Sequence, residues 1–301
     1  MPPMNRIKWV LPFLIFPLLT VSQIKTPFVS YDYESDATYL EALNSLKNQP
    51  HQKSTSIIKS IAKLSYAFKD WDTAIEYYER LLLKAPQAEN YFRVAVSAAR
   101  KSLEVSRFLS VPYIIKARKS VLKAHELQPK RTVFLNLLIQ LYAEIPSIFG
   151  GSIIFAEKKA IELTNIDSLK GAMMQAYIFE VKNNFIASRS KYTEVFKSFK
   201  EKFPDSEQWT STLGKDMIFD LGRVSAQYQI EPKMGIVLLD HYLKDFGFKD
   251  NYPSEWAYYY RSKIYLYMRD LKKAQASIEK ALKINPDFEE GLEFLNTIAL
   301  E

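Results

Sequence analysis

The feature that most constrains this chain is a spacing that appears twice, near its two ends. In one segment Ala74 is followed twelve residues later by Pro86, and in the other Ala274 is followed twelve residues later by Pro286. Ahead of each alanine lies a run with helical spacing: Ile58, Ile61, Ala62 and Ser65 in the first, Tyr258, Arg261, Ser262 and Tyr265 in the second. Behind each come Tyr78 and Leu81, or Ile278 and Ala281. A small residue near the start of a second helix lets it approach the first closely, and larger side chains fill the gap around that contact. The proline, having no N–H, ends the pair. The spacing predicts a helix pair as the unit and repetition of that unit as the architecture.

Further units keep this order with insertions. Phe92, Ala95, Val96 and Ala99 lead to Ala117, Val121, Ala124 and Pro129. That unit exceeds the ~34 residues usual for such a repeat, and the excess is expected between its helices, around Val105 to Pro112. Leu135, Leu138, Ile139 and Tyr142 lead to Ala156, Ala160 and Leu163, with an inserted corner over 145–151 that ends in Gly150-Gly151. A degenerate unit runs through Ala176, Phe179, Ser188, Tyr192 and Val195 to Pro204; the next holds Leu221, Gly222 and Ser225, then Gly235, Leu239 and Tyr242. Strand-like alternation is absent, and the prolines fall between periodic runs. With 8 glycines against 14 prolines, the chain is not built on tight β-hairpins, whose turns need glycine. A hydrophobic content of 48% in 301 residues excludes wholesale disorder.

The recurring order of small, large, small and proline resembles the tetratricopeptide repeat family over residues 54–286. The resemblance implies an all-α fold: a right-handed superhelical solenoid of antiparallel helix pairs with about six repeats, some degenerate or carrying insertions. Residues 35–53 then form an N-terminal capping helix, with Ser35-Asp36 as its cap and Tyr39, Leu40, Leu43 and Leu46 as its apolar face. Residues 287–301 form a closing helix, and 23–34 a linker.

Arg6 and Lys8 precede an apolar stretch from Trp9 to Val21. This is shorter than the ~20 residues a spanning helix needs but matches a secretory core segment. Thr20-Val21-Ser22 offers small residues for cleavage after Ser22, so 1–22 reads as a signal peptide. The expected product is a periplasmic or secreted chain starting at Gln23, whose membrane contact is transient. Retention as an N-terminal anchor is the alternative. The chain is also loosely similar to helical-repeat components of outer-membrane assembly machinery. Those usually carry a lipidated cysteine, and this sequence has none.

The absence of cysteine, with only three histidines, removes disulfide scaffolds, thiolate metal sites and thiol catalysis. His51, His125 and His241 lack metal-ligand spacing, and His125 is read as a contact at the helix end before Pro129. There is no phosphate-binding glycine loop, nucleophile elbow or paired-histidine zinc motif. Glu289-Glu290, and Glu201 with Asp205, read as solvated faces or caps. No enzyme, cofactor or metal is expected. Gly150-Gly151 is read as structural, supplying positive φ before Ser152 caps the next helix.

In the tetratricopeptide repeat family the first helices of successive repeats line a concave groove in which peptides lie. By resemblance, the groove positions here are Lys59, Lys63 and Tyr66; Asn90, Arg93, Ser97 and Arg100; Asn136 and Gln140; and Trp256, Tyr259 and Lys263. Such basic and amide groups suit a protein or peptide partner with an acidic segment. Lys63 stands where the family's chaperone-tail clamp carries asparagine, so that particular ligand is not implied. Tyr258 is expected in the core, with Trp256 and Tyr259 facing the groove as peptide anchors or sugar-stacking rings. Net charge is +7, and +5 without Arg6 and Lys8; it is small and spread out, which disfavours nucleic acid. The expected function is an exported, non-catalytic scaffold that binds a partner in its groove. The alternative is an envelope enzyme or glycan-binding accessory with a site assembled from distant residues. Self-association through the terminal repeats is a third reading.

Overall fold

Short-range hydrogen bonding explains where each helix starts and stops. The computed structural model describes residues 29–299, so the expected signal peptide, residues 23–28 of the linker and the last two residues lie outside it. Asp36, Ser54, Asp70, Ser152, Asp167, Asn184 and Asp270 each accept a hydrogen bond from a backbone N–H in the first turn of the helix that follows, satisfying donors that the helix itself leaves open. The turn inside three of the pairs is one motif. Lys69, Asn183 and Arg269 adopt left-handed backbone with φ of 60°, 56° and 62°. The next N–H in each case reaches back to the carbonyl of Ser65, Phe179 or Tyr265. Glycine is the usual occupant of that position, and this chain does without it.

Helix α1 (Ala37–Lys47) caps the first pair, α2 (Thr55–Ala67) and α3 (Trp71–Leu82). Then come α4 (Ala88–Glu104) with α5 (Arg107–Leu127), α6 (Thr132–Glu144) with α7 (Ile153–Ile166), and α8 (Ser168–Val181) with α9 (Phe185–Lys202). A short α10 (Ser206–Thr212) precedes α11 (Lys215–Tyr228) with α12 (Pro232–Lys244) and α13 (Ser254–Tyr267) with α14 (Leu271–Ile284). Helix α15 (Glu289–Ile298) closes the series. No strand occurs among the described residues. The chain is an all-α solenoid of antiparallel helix pairs.

Small residues set the spacing within pairs. Ala62, Ala74, Ala95, Ala117, Ala124, Ala156, Ala160, Ala176, Ala274 and Ala281 are all completely buried. Two buried serines tie partners together: Ser188 Oγ donates to the Ala176 carbonyl at 2.9 Å and Ser262 Oγ to the Ala274 carbonyl at 2.6 Å.

Four details differ from the sequence reading. The excess of the second pair lies within its helices, not between them: α4 and α5 are 17 and 21 residues long and only Val105 and Ser106 separate them. Pro112 lies inside α5, and the one backbone bond that it forgoes, to the carbonyl of Phe108, falls in the exposed first turns of the helix. Helix α10 has no counterpart in the repeat pattern; Asp205 caps it, and Trp209 Nε1 donates to the Phe203 carbonyl at 2.7 Å. In α13 the core face is Ala257, Tyr260 and Ile264. Tyr258 is half-buried, with Arg261 and Lys280 over its ring at 4.8 and 5.8 Å. In the 145–151 corner only Gly150 has positive φ, +94°. Gly151 is required by close approach, since a Cβ there would lie 1.6 Å from the Ile145 carbonyl oxygen.

Gly151→Ala is therefore expected to cost about 3 kcal/mol of stability, whereas Gly247→Ala, which meets nothing within 4 Å, stays within about 0.5 kcal/mol. Denaturant unfolding of the two variants measures the contrast.

Candidate functional site

A contact between distant segments joins the first repeat to a late one. Lys69, at the end of α2, donates from Nζ to the Asp250 carbonyl at 2.8 Å and to the Val29 carbonyl at 3.3 Å. Val29 N–H donates to the Asn251 carbonyl at 3.2 Å. Tyr31 and Phe68 both pack on Phe248, with ring centroids 5.0 and 5.4 Å away, and Tyr39 stacks on Phe68. On the far side Lys215 Nζ holds the Asp250 carboxylate at 2.7 Å, and Asn251 Nδ2 donates to Asp216. The first repeat is thereby fastened to the connection between α12 and α13. The Lys69 side of this clasp is 3% exposed. Burial lowers its ammonium to about 8, with Arg100 acting in the same sense and Asp250, Asp216 and Glu104 opposing.

Charged and amide side chains line the enclosed face. On α4 stand Arg93 and Arg100, with Ser97 buried between them, and on α6 Asn136, Gln140 and Glu144. Tyr177 of α8 hydrogen-bonds Glu144. The Glu144 side chain reaches solvent, yet protein surrounds it closely enough to push its carboxyl up to about 7, only partly offset by the charge of Arg100. Asp220 of α11 is likewise raised, to about 6, by burial against the opposing charge of Arg223, and Tyr252 OH points at it from 3.5 Å.

Beneath this surface, Glu180 of α8 is completely buried. It accepts from Arg223 Nη1 at 3.1 Å and Nη2 at 3.2 Å, and from Tyr192 and Tyr228 at 3.0 and 2.8 Å. Burial, then the charge of Glu180, raises the Tyr192 phenol well above its usual value. Four donors saturate the carboxylate, so the network is a strut between α8 and α11 across the inserted α10.

The structure distributes the expected groove residues unevenly. Lys59, Lys63 and Tyr66 share one face of α2, and both lysines are exposed with no ion-pair partner among the described residues. Arg93 lies over the Tyr66 ring at 4.6 Å and is engaged by Glu89, with Nε to Oε1 2.8 Å. Asn90 Nδ2 is spent on the Ala85 carbonyl at 3.0 Å, closing the preceding turn. Ser97 Oγ and Asn136 Oδ1 are buried without a hydrogen-bond partner among the described residues. Gln140 lies one turn beyond Asn136 on α6.

Trp256 and Tyr259 remain partly exposed, with part of each ring packed within the chain. Phe288 lies 5.0 Å from Trp256 and 5.6 Å from Tyr259, and Phe294 of α15 lies 5.5 Å from Tyr259. Lys263 sits over the Tyr259 ring at 5.3 Å, and burial lowers its ammonium. His125 also differs from its expected helix-end contact: it is buried against α7, with Nε2 3.1 Å from both Glu162 Oε1 and Lys159 Nζ. Burial, then Lys159, lowers its pKa.

Among the described residues no group of three or more histidines or carboxylates is placed to hold a metal ion, and no helix is long and apolar enough to cross a membrane. Lys69, Glu144, Asp220 and the Glu180–Arg223 pair escape sequence reasoning. Only Glu180, a carboxylate between Phe179 and Val181, breaks its helix's apolar pattern visibly.

Residues 256–288 match the family model for the tetratricopeptide repeat. Among solved structures, a tetratricopeptide repeat protein from Parabacteroides merdae aligns with a TM-score of 0.52 at 12% identity, over 89% of this chain and 95% of that one. The Cut9–Hcn1 hetero-tetramer of the APC/C aligns with a TM-score of 0.54 at 12% identity, over 87% of this chain and 46% of that one. Yeast Tom70 aligns with a TM-score of 0.50 at 14% identity, over 91% of this chain and 54% of that one. The chain thus spans about half the length of the latter two. No curated protein matches by sequence. The chain therefore has the tetratricopeptide repeat fold, and residues 256–288 carry the sequence signature of the repeat itself.

A carboxyl with a raised folded-state pKa binds more protons folded than unfolded. Glu144 therefore stabilises the fold least once pH has risen from 4.5, its ordinary value, through about 7. Glu144→Gln is expected to flatten the decline in melting temperature across that window, as thermal unfolding at a series of pH values will read out.

Proposed function

We propose that this protein is an exported, non-catalytic scaffold that binds a protein or peptide partner on the enclosed face of its solenoid. The observation that carries the reading is that Lys59 and Lys63 stand exposed on one face of α2 with no acidic partner among the described residues, next to Tyr66 with Arg93 over its ring. The exposed Lys59 and Lys63 supply a positive approach for an acidic segment of that partner. The net charge of +7 is small for a chain of 301 residues and is spread along it, which disfavours nucleic acid. The glycan reading loses support because Trp256 and Tyr259 pack against Phe288. Export rests on the apolar run Trp9–Val21, and N-terminal sequencing of the exported chain should return Gln23.

The test is affinity capture from the native envelope fraction with residues 23–301 as bait. The Lys59→Glu, Lys63→Glu double variant is expected to lose at least ~10-fold of the captured partner at an unchanged melting temperature. Equal capture by both baits contradicts the proposed site.

A further inference from the structure

The α4–α5 hairpin outgrows the layer that supports it. Glu104, which accepts from Trp71 Nε1 at 2.9 Å, and Tyr113, whose OH donates to Asp72 at 3.0 Å, are held by the start of α3. The residues between them, 105–112, extend past that support as a tip. The tip carries the most exposed large apolar side chain of the described residues: Phe108 is 90% exposed, with Leu109 at 63% and Leu103 at 62% beside it. Lone exposed apolar residues are ordinary. Phe108 and Leu109, adjacent on the projecting turn, with Leu103 at the end of α4 leading into it, make a patch.

The charge around the tip is one-sided. From Val105 to His125 the sequence holds Arg107, Lys116, Arg118, Lys119 and Lys123 and no acidic residue. Phe108, Pro112, Lys119 and Lys123 fall on one exposed face of α5, so an apolar end is followed along the helix by lysines. The acids nearby are already engaged: Asp72 by Lys101 at 2.7 Å and by Tyr113, Glu79 by Lys116, and Glu104 by Trp71 and Lys101. Arg107 and Lys119 have no acidic partner among the described residues.

We infer that this tip is a lipid-binding wedge, seating Leu103, Phe108 and Leu109 in the headgroup boundary of an anionic membrane while Arg107 and Lys119 meet lipid phosphates. Amphipathic elements bind at that boundary through buried apolar area together with attraction to anionic lipid. A convex apolar tip needs a socket in a protein partner but none in a deformable lipid phase.

The experiment is vesicle flotation of the full chain. Wild type should float with vesicles of phosphatidylethanolamine and phosphatidylglycerol and much less with pure phosphatidylcholine, and Phe108→Glu with Leu109→Glu should cut the floated fraction about tenfold. The apolar run at 9–21 is common to both chains, so their difference reads the tip. Because the chain has no cysteine, Leu109→Cys with an environment-sensitive dye reports the contact directly. Its emission should shift to the blue with anionic vesicles, while the same dye at Ile186→Cys, a position 86% exposed elsewhere, should not shift. Equal flotation of both chains, or no dye shift at position 109, overturns the inference. So does a result in which the tip variant loses an acidic protein while wild type ignores vesicles.

Discussion

Close approach of paired helices is the constraint on which the rest of this structure depends. The completely buried alanines provide it in most pairs, and glycines provide it where alanine is already too large. A Cβ on Gly222 would lie 2.5 Å from Leu239, and one on Gly235 would lie 2.2 Å from Ser225 Oγ. Each unit buries little by itself, so stacking against neighbours supplies the core. That is why six pairs with little sequence in common still adopt one geometry. The tolerance is also visible: as long as the small contacts are kept, one hairpin can lengthen and a whole helix, α10, can be inserted.

Two long-range contacts turn this quasi-linear stack into a closed object. Glu180 and Arg223 bridge the interruption at α10, saturated by Tyr192 and Tyr228. Removing Arg223 would leave the Glu180 carboxylate buried without a counter-charge, at a cost of about 3–5 kcal/mol. Lys69 then fastens the first repeat to the chain between α12 and α13. Burying an ammonium against two backbone carbonyls is a poor way to gain stability. It is a good way to fix one arrangement of two surfaces, since only one geometry satisfies the charge. The consequence for function is that helices from separate repeats face one enclosed surface, where Glu144 and Asp220 feel enough protein to have raised pKa values.

Much of this was legible in the sequence, for identifiable reasons. The Ala74–Pro86 and Ala274–Pro286 spacings mark pairs because helix contact and helix termination are both local chemistry. Asp36 and Ser152 cap as their positions suggest. The site was less legible. Lys59 and Lys63 are exposed where helical periodicity puts them, but nothing local to Arg93 shows that Glu89 engages it, or that Phe288 packs on part of Trp256 and Tyr259. Lys69 sits in a turn that a sequence reader would assign to backbone geometry alone. Its partners lie 40 and 181 residues away, beyond any periodic signal.

The central claim is that the solenoid is closed by the Lys69 clasp. The most direct measurement is a pulsed electron spin resonance distance between labels at Glu34→Cys and Lys249→Cys, two exposed positions on opposite sides of the seam. A cysteine-free chain makes the labelling unambiguous. The account predicts one short, narrow distance distribution in the otherwise native chain, and a broad, longer one when Lys69→Met is added. A broad distribution with Lys69 present, or an unchanged narrow one without it, would contradict the closure.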